Sequence, residues 1–118
     1  MPTRILPTTI VFPRNSFLAI RTLEELPAEF WIARVDKDVT WASRQENIDV
    51  IWYISTSRDQ NVEGRFVPSM NDEDEVFKDV VELETVIHCF SKLRDGLEGT
   101  VPIDALRLIR DRVTQYHF

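Results

Sequence analysis

The side chains best suited to chemistry in this chain are few and poorly matched. His88 and Cys89 are neighbours, and Cys89 is the only cysteine. A thiol nucleophile needs a base within hydrogen-bond reach. The periodicity described below places both residues on a helix, where adjacent side chains diverge by about 100°, so the pair makes no dyad. A lone cysteine also excludes an intrachain disulfide and a cysteine-based zinc cluster. Gly64, Gly96 and Gly99 are the only glycines, and none has the spacing of a phosphate-binding loop. The expectation is a chain with no catalytic residue, no cofactor and no metal site.

Residues suited to recognition are easier to find. Asp72-Glu73-Asp74-Glu75 lacks the spaced oxygen ligands and glycine of a calcium loop. It reads as the first turn of a helix, where acid complements the dipole, and as a contact surface for a basic partner. Trp31, Tyr53 and Arg34 are of the types that dominate interface hot spots, and they become anchors if one sheet face stays open. Phe77 and Val81, with His88, form a second apolar patch beside the main stripe of the expected helix. The candidate partner-binding residues are therefore Trp31, Arg34, Tyr53, Asp72, Glu73, Asp74, Glu75, Phe77 and Val81.

Charge narrows the partner. Twenty acidic against fourteen basic residues give a formal charge of −6, which disfavours nucleic acid and favours a basic protein. Arg107, Arg110 and Arg112 are interleaved with Asp104 and Asp111 and make no basic stripe. The start, Met1 to Pro7, lacks the apolar run of a secretory signal. No window approaches the roughly 18 apolar residues of a membrane span, so a soluble, cytoplasmic chain is expected.

The elements that must position these residues change character near Pro68. Before it, runs rich in β-branched and aromatic residues predict strands at 8–12, 17–20, 29–35, 48–55 and 64–67. Val39-Thr40-Trp41 is expected to pair with 29–35 as a hairpin across Asp36-Lys37-Asp38. Thr22 to Pro27 reads as a capped helical turn and connector. In the central strand, Ile48, Val50, Trp52 and Ile54 alternate with Asp49, Ile51, Tyr53 and Ser55.

After Pro68, Ser69 or Asn71 is positioned to cap a helix over 71–95. Val76, Val80, Leu83, Ile87 and Phe90 recur at spacings of four and three, with Gly96 or Gly99 as the stop. Pro102 opens a second helix over 102–116 with Leu106, Ile109, Val113 and Tyr116 inward. The predicted fold is one α+β domain spanning 1–118: an antiparallel sheet from the N-terminal half with two C-terminal helices on one face. Those helices are expected to cover Ile48, Val50, Trp52 and Ile54.

These readings favour a small acidic protein-binding module without catalysis, such as an inhibitor, an immunity-like factor or an adaptor. The alternative is a regulatory domain holding a small ligand at a subunit interface. The order strand, helical turn, Leu26-Pro27, strand, followed by Trp41 to Ser57, resembles ligand-binding regulatory modules over a minor part of the chain, with no specific motif. The paired stripes 76/80/83/87/90 and 77/81/88 suggest a homodimer.

Overall fold

The computed structural model describes residues 6–21, 30–57 and 62–116, with the side chains of 114–116 left aside. The expected helical turn at Thr22 to Pro27 lies outside the described residues. β5 (Ile48–Ser55) organises the rest. It is apolar on both faces, so it must be covered on both sides and paired along both edges. One edge pairs antiparallel with β3 (Trp31–Val35), which pairs with β2 (Phe17–Ile20), which pairs with β8 (Val86–Phe90). The other edge takes β6 (Phe66–Pro68) beside Tyr53 to Ser55, then β7 (Lys78–Val81) beside Ile48 to Ile51. Between them the chain leaves the edge at Ser69 and returns at Phe77, and both residues bond the backbone of Trp52.

This arrangement corrects the expected fold class. Among the described residues the chain is mostly antiparallel β-sheet, with eight strands in two sheets and one α-helix, α1 (Ile103–Tyr116). The helix read over 71–95 is replaced by β7, a 3-10 turn at Leu83–Thr85 and β8. Val76, Val80, Val81, Thr85, Val86 and Ile87 are β-branched, which disfavours helix and suits a pleated surface, and two sheet edges stood ready to pair with them. The four-three spacing makes no common face: Val76, Ile87 and Phe90 pack on one side of the sheet, Leu83 on the other, and Val80 is exposed, with the turn at Leu83–Thr85, closed by Thr85 N–H and Oγ1–H donating to Glu82 O, separating the two strands. Asn71 does cap, but it caps a turn: its Oδ1 accepts the Glu73 and Glu75 N–H groups at 2.9 and 3.0 Å, with Asp74 at φ 60°.

A second correction concerns Val39–Thr40. As β4 it pairs with β1 (Ile10–Phe12) in a separate two-stranded ribbon, not with β3. No Asn-Gly or Asp-Gly turn holds it to β3, and its Val39 is buried with Val35 and Val50 instead.

The faces are covered unequally. On one, α1 and the preceding segment lay Leu93, Val101, Ala105 and Ile109 against Phe17, Ala19, Ile32, Ile51, Tyr53 and Ile87. Pro102 stands just before the helix and its carbonyl accepts the Leu106 N–H. The helix therefore covers the Ile51 and Tyr53 face, opposite to the face expected. On the other, Leu18, Ile20, Ala33, Val35, Ile48, Val50 and Val81 are buried, with Val11, Phe12 and Val39 of the ribbon packed over one end. The ribbon strands are three and two residues long, too short to reach Trp31 and Trp52 at the other end. Among the described residues no helix is long and apolar enough to cross a membrane.

Candidate partner-binding groove

The uncovered end of the second face is a groove of about 420 Å³ lined by Trp31, Trp52, Tyr53, Ile54, Ser69, Phe77 and Asp79. Period-two alternation puts Trp31 and Trp52 on the same side of β3 and β5. Their rings meet edge to face, centroids 5.7 Å apart at 82°, a favoured aromatic geometry that leaves ring surface open to solvent. Phe77 is 46% exposed and Ile54 42%, high values for large apolar side chains that share one concavity. A second hollow of about 310 Å³ continues past the same two tryptophans to Ile20, Arg21, Val81, Glu82 and Thr85.

The charged group lining the groove is Asp79, and Glu82 lines the second hollow. Asp79 sits opposite Val50, on the tryptophan side of the sheet. Its Oδ2 accepts the Trp52 indole N–H at 2.9 Å, and its Oδ1 accepts the Val80 N–H at 2.7 Å. Glu84 shares a hydrogen bond with Glu82 and adds like charge, and together they raise the Glu82 carboxyl pKa above 4.5. The neighbouring cation on the edge, Lys78, turns to the opposite face, where its Nζ lies 3.8 Å from Asp36 Oδ2.

The structure divides the sequence-predicted residues between the two faces. Trp31 and Phe77 meet in the groove. Asp72 to Glu75 form the exposed tip of the excursion that leaves and re-enters the groove wall at Ser69 and Phe77. Val81 is buried opposite Ile48 and lines only the second hollow. Arg34 belongs to the helix-covered side, and Tyr53 packs into the core there while also lining the groove. Tyr53 packs edge-on to Phe17 at 5.2 Å and donates its hydroxyl to Leu97 O at 2.7 Å; burial raises its pKa above 10.0, partly opposed by Arg34. The Arg34 guanidinium lies 5.9 Å from the Tyr53 ring centre, with Nε unpartnered.

The 77/81/88 patch does not form, because His88 lies on β8 at the far edge. The helical stripes that suggested a homodimer fall with their helix. Cys89 and His88 again diverge: Cys89 Sγ donates to Ser16 Oγ at 3.7 Å, and burial raises its thiol pKa. Among the described residues no group of three His, Cys, Asp or Glu could hold a metal ion.

Sequence reasoning missed Trp52, Ile54, Ser69 and Asp79 as site residues. The first two share a face with Ile48 and Val50 and so read as core beneath helices. Asp79 was hidden inside the expected helix, where nothing tied it to Trp52. Compared with known proteins, the chain matches no family model, no curated protein and no solved structure.

Proposed function

We propose that this chain is a protein-binding module that acts without catalysis, docking its partner in the Trp31–Trp52 groove. The observation that carries this reading is the half-covered second face: the ribbon of β1 and β4 closes one end, and the other presents two tryptophans, Ile54 and Phe77 to solvent. Tryptophan is the residue most concentrated at interface hot spots, and a concave apolar floor with a few fixed polar groups is the usual form of a recognition site. The groove is also supported by a rigid frame, since the backbone of Trp52 is bonded to both Ser69 and Phe77.

Affinity capture from the native cells with wild-type chain and a Phe77→Ser variant tests the reading. The expected result is a partner retained by wild type and lost by the variant. Identical captured sets would remove the groove from the account. A dimer mass in light scattering that Phe77→Ser reduces to a monomer would replace the foreign partner with a second copy.

A further inference from the structure

We propose that the groove recognises an arginine of the partner protein, flanked by apolar residues, with its guanidinium over the Trp31–Trp52 pair and against Asp79. This inference rests on the docking reading above and names the chemistry of the occupant. An aromatic floor beside a carboxylate suits guanidinium better than any other side chain, because the planar cation stacks on an indole face and pairs with an acid in the same pose. A carboxylate offers about four lone-pair positions. Trp52 and Val80 occupy two at Asp79, so the group is held in place and keeps acceptor capacity.

The surroundings are complementary to the same ligand. Among the described residues no lysine or arginine pairs with Asp79 or with Asp72 to Glu75. Acid therefore stands at the tip of the excursion between Ser69 and Phe77 and, as Asp79, on the β7 wall of the groove, in a chain of net charge −6. Glu82 adds a further carboxylate at the second hollow. Arg21 lines that hollow too, which places the incoming arginine at the Asp79 end. Addition of a partner strand to β7 fits less well: Asp49 bonds back to β3 through Asp36 N–H, so Val80 opposite it faces its N–H outward, and Asp79 already holds that group. Recognition then runs through side chains.

The test is selection of a random-peptide phage library on wild-type chain. Binding of the enriched peptides is then measured for wild type, Asp79→Asn and Phe77→Ser, each checked for a cooperative melting transition. The expected result is enrichment of arginine next to aromatic or aliphatic residues, with affinity falling about tenfold or more in Asp79→Asn and lost in Phe77→Ser. Asp79→Asn keeps an oxygen for the Trp52 N–H, and Asp79→Glu serves as a second variant, expected to recover part of the affinity. Peptides that need Phe77 but carry no arginine, or bind Asp79→Asn unchanged, overturn the arginine inference and leave the groove standing. Peptides indifferent to Phe77→Ser, or no enrichment at all, overturn both.

Discussion

Trp52 and Tyr53 are adjacent aromatic residues on the same strand with opposite fates. Tyr53 faces α1, packs on Phe17 and ties its hydroxyl to Leu97 O. Trp52 faces the groove, ties its indole to Asp79 and keeps part of its ring in water. Both faces of the sheet carry enough apolar surface to need a cover, and the described residues supply one full cover and one partial one. A 14-residue helix spans its face; a ribbon of short strands does not. The lesson is that an apolar strand face declares a need for burial, and the partner that meets it can lie in the same chain or in another.

The helix-covered face should therefore carry stability, and the groove should carry recognition. The sharpest way to break this contrast is Phe17→Ala. Phe17 is 0% exposed, stacks on Phe90 at 5.7 Å and meets Tyr53 edge-on. Its truncation is expected to cost about 3–5 kcal/mol, read as a large drop in the denaturant midpoint with an unchanged slope. A loss of less than about 1 kcal/mol would mean that the face beneath α1 is not the main core.

The parts of the fold legible in the sequence are those where one periodicity stands alone. Phe17 to Ile20, Ile48 to Ser55 and the helix after Pro102 have a single reading, and each forms close to its expected bounds. The segment 76–90 has two. Its valines and isoleucine satisfy a helical stripe and a pair of strands alike, and the unpaired edges of β5 and β2 decide between them. That pairing is a long-range fact with no local signature. The same holds for the groove: Trp31, Phe77 and the acidic run were visible as interface types, but their meeting depends on β7 lying beside β5. Arg34 and Tyr53 had equal claims by type; the side on which α1 settled draws the Tyr53 hydroxyl to Leu97 O and the Arg34 guanidinium to the Tyr53 ring, and of the two Tyr53 still lines the groove.

A pH titration sharpens the comparison from another direction. His88 occupies the helix-covered side with Ile87, the extra residue of a β-bulge opposite Ala19 and Ile20. Burial lowers its pKa below 6.5, and the nearby Arg112 lowers it further; the Arg112 Nη1 donates to Ile87 O at 2.7 Å. The unfolded chain takes up a proton that the folded one resists, so stability is level above the unfolded pKa of about 6.5 and falls as pH drops from there toward the lowered folded value. Beside the groove the sign reverses. The Glu82 pKa is raised by Glu84, so its contribution is present at low pH and lost as pH rises through the carboxylate range, weakly, because the group is fully exposed and screened by salt. Urea melts across pH 4 to 8 should show the histidine slope below about 6.5 in wild type and lose that component in His88→Gln, with the weak carboxylate contribution left in place. A slope that persists in the variant would assign it to other groups.

The smallest expected change in stability belongs to the residue expected to matter most for binding. Phe77→Ser leaves the backbone bonds of residue 77 to Ser69 and Trp52 in place and removes a ring already half in water. About half of the ring surface is buried on folding, so its removal gives up about half of the burial energy of a fully covered phenylalanine, about 1 kcal/mol. Stability should then fall by only about 1 kcal/mol, while partner affinity is lost. A destabilisation above about 2 kcal/mol would show that Phe77 closes a core of its own, and the groove would become a packing defect on the second face instead of its binding surface.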